Sequence, residues 1–186
     1  IAYAARHPGR VSRLILCSPV AFIREMTSST LLSTQMRMLD GDGDFESYIN
    51  TSLRVSAGLP PGQGLRQLVP LYMQSVTKEN YRQTLEAMAS FDASDLLRAI
   101  QSPTLVLHRI GAELVTVDMV RKVASAIPGA RLCMFGGDVL FPWLGDAEAV
   151  LTAIDEFLGD GEAASDVQIW FMEQLLEGME GASSTG

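Results

Sequence analysis

Histidine and cysteine are scarce in this sequence: its 186 residues include 2 histidines and 2 cysteines. Cys17 and Cys133 lie far apart, and each sits in a short apolar run. That setting predicts buried free thiols in a reducing cytoplasm rather than a disulfide framework or a zinc site. No apolar run reaches the roughly 18 residues of a membrane span, so we expect no membrane partner. The sequence lacks a leading Met and a signal pattern, and we therefore expect it to begin inside a larger, truncated polypeptide.

Positive charge is also in short supply. The chain has 14 Lys and Arg against 22 Asp and Glu, which leaves a net charge of −8. A phosphate backbone would be repelled on average, so no nucleic acid is expected as a partner. Apolar residues are abundant, at 47% of the chain, which excludes a wholly disordered protein. At about 150 residues per domain, the length predicts one compact domain with a short appendage.

Apolar patterning divides the chain into strand-like and helix-like segments. Short continuous apolar runs predict buried strands at 11–18, 104–108 and 130–135, and helical spacing predicts helices at 1–7, 117–127 and 147–158. Alternation of strand and helix predicts a parallel sheet with right-handed crossovers. The stretch between the first two strands has only helical spacing, in four sets at 22–39, 45–55, 65–76 and 81–88. This middle part is predicted to be an all-helical insertion.

The predicted organisation therefore has four parts: a helix end and strand at 1–20, a helical cap at 21–100, a C-terminal α/β core at 101–160, and an appendage at 161–186. The appendage consists of a linker, an amphipathic helix and a tail. Its helix could open with a capping box at Ser165 and Gln168. An apolar stripe then predicts that it packs on its own domain or docks on a partner. The stripe comprises Ile169, Met172, Leu176 and Met179.

Two stretches resemble the α/β-hydrolase family. AARHPGRVSRLILCSP (4–19) looks like the helix that follows the nucleophile-bearing turn and the sixth strand after it. Residues 102–160, from SPTLVLHRIGAE to DEFLGD, are similar to the last two strands and helices. The resemblance covers roughly 1–18 and 92–159 and is strongest to hydrolase-like domains attached to bacterial adenylate cyclases or LuxR-type regulators. It implies an α/β fold class, the C-terminal part of an α/β-hydrolase-like fold with about three parallel strands, flanking helices and an inserted helical cap.

The resemblance also identifies where a catalytic triad would lie. The family's nucleophile is a Ser in a G-x-S-x-G turn, which would precede Ile1. Its acid follows the next-to-last strand in a pattern like H-R-x-G-D, and here that stretch reads HRIGA (108–112). Ala112 takes the acid position, with Glu113 as a weak substitute one residue later. Some members place the acid after the sixth strand, but residues 17–20 hold no carboxylate.

The catalytic base of the family follows the last strand, in a pattern like G-x-D-H before a Pro-aromatic pair. Residues 136–143 read GGDVLFPW, so Val139 takes the histidine position. Without an imidazole, this loop has no group that shuttles a proton at neutral pH. His7 and His108 have structural explanations instead: His7 lies at a helix end, and His108 is expected to hydrogen-bond locally at a strand end. We therefore predict that no catalytic set is intact.

The remaining candidate motifs lack residues that their chemistry requires. The run DGDGD (40–44) resembles a calcium loop, but Phe45 replaces the required Gly and Thr51 the required Glu, so a helix-breaking loop is predicted. GLPPGQG (58–64) lacks the G-K-[ST] of a phosphate-binding loop. Cys17 has no visible partner base that would make it a nucleophile. No metal or cofactor is expected.

Two hypotheses follow. The first is a non-catalytic hydrolase-like domain, a pseudo-hydrolase that acts as a small-ligand sensing or interaction module. The alternative is a fragment of a serine hydrolase acting on an ester or similar small substrate. The substitutions at 112 and 139 favour the first, because residues upstream of the chain cannot restore them. A small apolar ligand under the cap, a homodimer and a covalently linked regulatory domain are the candidate partners. The methionines that could line a ligand pocket, or simply pack the cap, are Met26, Met36, Met38, Met73 and Met88.

Overall fold

A computed structural model describes residues 1–22, 37–41, 43–55 and 57–159. The chain divides into two compact units, Ile1–Val150 and Leu151–Gly186. In the second unit the described residues, 151–159, are helical. The sheet and the candidate site belong to the first unit. Met26, Met36, most of the predicted helix at 22–39 and the whole predicted appendage helix lie outside the described residues.

Three parallel strands form the sheet. They are β1 (Leu14–Cys17), β2 (Thr104–Arg109) and β3 (Arg131–Phe135), in the spatial order β1-β2-β3. Leu14 pairs with Thr104 and Arg109 pairs with Phe135, so β1 and β2 begin in register and β2 and β3 end in register. The predicted parallel arrangement is confirmed, since each strand returns to the sheet after helical chain.

Helices occupy the remaining described chain. A short helix α1 and a 3-10 turn precede β1, and residues 37–40 are helical. The helices are α1 (Ala2–Arg6), α2 (Phe45–Val55), α3 (Gln63–Ser75), α4 (Lys78–Ala89), α5 (Val117–Ala126) and α6 (Ala147–Gly159), with 3-10 turns at Pro8–Arg10 and Ser94–Ala99. Hydroxyl caps begin two of them: Thr77 Oγ1 accepts the Asn80 N–H, and Thr116 Oγ1 accepts the Met119 N–H. Each of the helices α1 to α6 lies within a few residues of a segment that apolar spacing predicted to be helical.

Apolar side chains form separate clusters over the sheet and among the helices that lie between β1 and β2 in the sequence. One cluster, here called the cap cluster, comprises Leu39, Tyr48, Ile49, Leu53, Leu59, Leu65 and Val69. Phe141 and Leu144, which follow β3, pack against it. On the sheet, Val106 of β2 packs with Val120 and Ala124 of α5. The helical residues between β1 and β2 thus have their own core, which contacts the loop that follows β3.

Burial differs from the prediction in the first strand. The strand predicted at 11–18 is shorter, and the residues of β1 are half-buried, with Cys17 exposed. The predicted burial of the thiols is therefore wrong for Cys17, while Cys133 is half-buried. The physical reason is position, because among the described strands β1 has a neighbour on one side only. Within the described ranges, no helix is long and apolar enough to cross a bilayer.

Candidate functional site

Polar residues collect where the three strands end. Ser18 follows β1, His108 and Arg109 end β2, and two loops, 110–116 and 136–146, follow β2 and β3. Because the strands are parallel, all of these groups lie at the same edge of the sheet. This carboxyl edge is where open α/β sheets bind their ligands.

The loops after β2 and β3 are joined through their backbones. The Ile110 N–H donates to the Phe135 carbonyl, and the Gly111 N–H donates to the Gly137 carbonyl, each with an N···O distance of 2.9 Å. A Cβ atom on Gly111 would lie 2.9 Å from the same Gly137 oxygen, so this contact requires glycine. The pairing brings the loop that carries Ala112 next to the loop that carries Val139.

Ala112, at the position predicted for the acid, is 5% exposed. A carboxylate at such a site loses its hydration and needs a charged or hydrogen-bonding partner. Val139, at the position predicted for the base, is half-buried and cannot supply one. Glu113 is exposed, so the neighbouring carboxylate faces solvent instead of the buried position.

A loop from the helical part lies directly over Val139. The Leu140 N–H donates to the Ala57 carbonyl over 3.0 Å. Gly58 has a φ of +71°, and a Cβ there would lie 2.6 Å from the Asp138 carbonyl oxygen. Both its conformation and this close approach require glycine. The segment 57–61, here called the cap loop, is thus closely packed on the turn where the catalytic histidine is expected.

A cleft of about 480 Å³ opens beside the cap loop, within the size range of small-ligand sites. Among the described residues that line it, the charged ones are Arg54, Glu113 and Asp138. The rest of its wall is Val55, Gly58, Leu59, Pro60, Pro61, Gly111 and Val139. We call this the cap cleft. Its described lining combines apolar walls with two carboxylates and one guanidinium.

Arg109 fixes the loop after β3. Its buried guanidinium donates to the carbonyls of Gly136 at 3.0 Å, Asp146 at 3.1 Å and Leu144. The guanidinium also lies against Gly145, where an added Cβ would be 3.6 Å away. A planar group with several donors suits such convergent carbonyls. The sequence gives one signal for this role, an arginine at the end of an apolar strand.

Ser18 and His108 form a side-chain pair that the sequence did not predict. Ser18 Oγ lies 3.1 Å from His108 Nδ1, so the expectation of a local hydrogen bond for His108 is wrong. The partners are 90 residues apart and meet because β1 and β2 are neighbours. Ser18 has a left-handed φ of +45°, which a non-glycine residue adopts at a cost. Burial lowers the pKa of His108 below its usual value and favours the neutral ring.

This pair is poorly suited to nucleophilic catalysis. Proton transfer from Ser18 would create a buried imidazolium, and burial disfavours the charged ring. His108 Nε2 has no hydrogen-bond partner among the described residues, so no carboxylate there orients the ring as in a triad. Pro19 follows Ser18 and has no N–H to offer a developing oxyanion. The arrangement ties the ends of β1 and β2 together instead.

The remaining candidates have local structural roles. The His7 N–H donates to the Tyr3 carbonyl at the end of α1, and the two rings lie 4.7 Å apart. Asp44 Oδ2 accepts hydrogen bonds from the Ser47 N–H and hydroxyl, which lower the pKa of Asp44. Met38 and Met88 are exposed, and Met73 packs against the cap cluster. No group of three His, Cys, Asp or Glu within the described chain could hold a metal ion.

Comparison with known proteins shows the fold. No protein-family model matches the chain. It is similar to a 2-hydroxymuconate semialdehyde hydrolase from Pseudomonas putida, at 25% identity over 176 residues, which cover 88% of this chain and 59% of the relative. A hydrolase structure from Pseudomonas aeruginosa superposes with a TM-score of 0.70 at 20% identity, covering 85% of this chain and 59% of that protein.

An α/β hydrolase from a deep-sea metagenome library superposes with a TM-score of 0.67 at 15% identity, covering 89% of this chain and 62% of that protein. The chain thus spans about three-fifths of the length of these relatives. Its three parallel strands and flanking helices have the α/β-hydrolase fold, as predicted.

Proposed function

We propose that this chain, which has the α/β-hydrolase fold, is part of a non-catalytic domain that acts as a small-ligand sensing or interaction module. The proposal is carried by the residues that two neighbouring loops, those after β2 and β3, hold at the predicted acid and base positions. Ala112, at the position predicted for the acid, is buried, and Val139, at the position predicted for the base, lies beneath the cap loop. The loops keep close backbone contact while both ionisable groups of the family's reaction are absent.

The two substitutions are physically coupled. A buried aspartate at 112 would be stabilised by a histidine at 139, because the imidazolium pairs with it. Without the histidine, the same aspartate would be an uncompensated buried charge. Alanine and valine remove that cost together. Glu113 is exposed, which argues against its replacing the buried acid.

The cap cleft is the proposed ligand site. Its volume of about 480 Å³ suits a small molecule, and its proline, leucine and valine walls suit an apolar body. Arg54, Glu113 and Asp138 would then select polar substituents of the ligand. Of the described methionines, Met38 and Met88 are exposed and Met73 packs against the cap cluster, and none of these three lines the cap cleft.

Further parts of the proposal rest on composition and resemblance. The two free cysteines support a reducing cytoplasm. The named relatives from Pseudomonas support a bacterial source. Attachment to an adenylate cyclase or a LuxR-type regulator, like a homodimer, stays a prediction of how a sensing domain would pass on its signal.

The alternative proposal is a fragment of a serine hydrolase acting on an ester or similar small substrate. It is supported by the similarity to a 2-hydroxymuconate semialdehyde hydrolase. Glu113 lines the cap cleft and is the carboxylate that such an enzyme would recruit. The preceding polypeptide would have to supply the serine, and a base other than residue 139 would be needed.

A chimera separates the two proposals. The front part of the Pseudomonas putida hydrolase, with its serine, is joined to this chain, and hydrolysis of a p-nitrophenyl ester is measured. We expect no more turnover than in a chimera whose serine is replaced by alanine. Introducing Ala112→Asp and Val139→His together is expected to raise the rate, while each alone recovers little, because acid and base act as a unit.

Far-UV circular dichroism and thermal melting establish that each chimera is folded. Serine-dependent turnover before either substitution would overturn the non-catalytic proposal. If Glu113→Gln then abolished that turnover, Glu113 would be the acid of an active hydrolase. Loss of the rate in Glu113→Gln, with Asp138→Gln unaffected, distinguishes this role from a general change in the charge of the cleft.

A further inference from the structure

In the described part of the chain, the cap cleft presents apolar surface that water reaches. Val55 is 38% exposed, and Pro60 and Pro61, which also line the cleft, are exposed. Val139 contributes a half-buried side chain. A ligand that covers these side chains removes apolar area from water, which favours binding in proportion to that area. The cleft therefore suits a ligand with an apolar part.

Three charged side chains from three different elements line the same cleft. Arg54 lies in the last turn of α2, Glu113 follows β2 and Asp138 follows β3. Among the described residues, no ion pair joins Arg54 to Glu113 or Asp138. The cleft thus holds charges of both signs that do not neutralise each other by direct contact.

A ligand that carries a single charge matches only part of this set. An anion that meets Arg54 is repelled by Glu113 and Asp138, and an amine that meets the two carboxylates is repelled by the guanidinium. A molecule with both an ammonium and a carboxylate meets charges of both signs at once. Together with the apolar walls, the cleft therefore favours a ligand that has three parts: a cation, an anion and an apolar body.

Resting on the non-catalytic function proposed above, we propose that the cap cleft binds a small zwitterion with an apolar side chain, of the class of the aliphatic α-amino acids. The carboxylate of the ligand accepts charge-assisted hydrogen bonds from Arg54, and its ammonium donates to Glu113 and Asp138. Its aliphatic side chain lies against Val55 and Pro60. A cleft of about 480 Å³ accommodates such a molecule.

Isothermal titration of L-leucine into the purified protein tests this ligand class. Leucinamide lacks the carboxylate and 4-methylpentanoate lacks the ammonium. Each is expected to bind about threefold to fivefold more weakly than leucine, because a contact with an exposed charge is lost. Glycine should also bind more weakly, since it has no side chain to cover the apolar walls. Leucinamide or 4-methylpentanoate binding as tightly as leucine would overturn the proposal.

Variants of the cleft identify which side chain meets which charge of the ligand. Arg54→Gln should weaken leucine binding by about threefold to fivefold without weakening leucinamide binding, because leucinamide has no carboxylate to lose its partner. Glu113→Gln with Asp138→Asn should weaken leucine binding without weakening that of 4-methylpentanoate. Arg66→Gln and Glu46→Gln are the matched controls, since both residues are exposed on the helices α3 and α2 and neither lines the cleft.

Circular dichroism establishes that each variant is folded. No leucine binding by the wild-type protein, unaltered leucine binding in the cleft variants, or equal losses in the two controls would each overturn the ligand class. The proposed function fails by a different result, which is serine-dependent turnover in the unsubstituted chimera. A failed titration beside an inactive chimera therefore contradicts the ligand class and leaves the proposed function standing.

Discussion

Two neighbouring strands of similar apolar character are buried to very different extents. Every residue of β2 is buried, whereas β1 is half-buried and its Cys17 is exposed. β2 lies between two strands and packs against α5, while β1 has one described neighbour. Burial therefore follows the neighbours that a strand has in the sheet, which its own residues do not specify.

The two strands also differ in the polar groups that they carry. The fully buried strand β2 ends in His108 and Arg109, whereas the half-buried β1 carries no charge in Leu14–Cys17. His108 and Arg109 are accommodated because Ser18 and the carbonyls of the loop after β3 reach them. A central strand can therefore hold buried polar groups at its end, where loops from both neighbours supply partners.

The largest expected effect compares two residues that are direct partners in the sheet, Leu105 of β2 and Ile15 of β1. Leu105 has no exposed surface, so Leu105→Ala should lower the free energy of unfolding by about 2 to 5 kcal/mol through lost contacts and a cavity. Ile15 is half-buried, and Ile15→Ala should cost roughly 1 kcal/mol, since less surface is involved. Urea unfolding of both variants measures the difference.

Equal losses of unfolding free energy in Leu105→Ala and Ile15→Ala would contradict the difference in burial between β2 and β1. They would mean that β1 is covered in solution, by a second copy or by another part of the polypeptide. An unpaired apolar edge strand is prone to such pairing. Light scattering on the same samples identifies a dimer, and a monomer with equal losses would point to cover from the same chain.

A smaller effect is expected at the polar end of β2. Arg109→Lys keeps the charge but loses the planar set of donors, so the three loop carbonyls cannot all be satisfied. We expect a loss of about 2 kcal/mol in the free energy of unfolding. Arg10→Lys is the matched control, because Arg10 is exposed and should change stability little. Arg109→Lys with wild-type stability would show that these hydrogen bonds do not hold the loop.

The described strands and helices were largely predictable from apolar spacing. The helix predicted at 45–55 is α2, and the strand predicted at 104–108 is β2 with one further residue. The first strand was predicted at 11–18, longer than β1, because Val11 is apolar. In the structure Val11 lies outside the strand, and its carbonyl accepts a hydrogen bond from the Ser102 hydroxyl. The half-burial of β1 does not follow from its own apolar residues, because burial depends on which strands lie beside it.

Only those parts of the candidate site that belong to a family motif were predictable from the sequence. Ala112 and Val139 were placed by resemblance, and the structure brings their loops together through Gly111 and Gly137. The Ser18–His108 pair and the Arg109 carbonyl contacts join residues 90 and 27 to 37 positions apart. Such contacts depend on strand order, and composition and spacing say nothing of them.

A change in pH tests the burial of His108. Burial lowers its pKa, so the unfolded chain binds this proton more readily than the folded chain. The free energy of unfolding should therefore fall as the pH drops through about 6.5 towards the lower folded pKa, and then level off. His108→Gln should flatten this slope, measured by urea unfolding between about pH 7.5 and about pH 5.5.

His7→Gln is the matched control for this experiment, because His7 is exposed. It should leave the slope unchanged. The carboxyls of Asp44 and Glu79, whose pKa values hydrogen bonds lower, titrate at more acidic pH and stay out of this window. A slope that disappears in His7→Gln and persists in His108→Gln would contradict the burial of His108.

The smallest effect is expected from the thiols on the two outer strands. Cys17, Leu107 and Cys133 are in register, so two strand spacings, about 9 to 10 Å, separate the cysteine Cα atoms. That separation exceeds the reach of a disulfide. Cys17 is exposed as a residue, yet partial burial of its thiol raises the pKa and keeps it protonated. Reductant should leave the free energy of unfolding unchanged, and non-reducing mass spectrometry should find two free thiols; an intramolecular Cys17–Cys133 bond would show that β2 does not lie between β1 and β3.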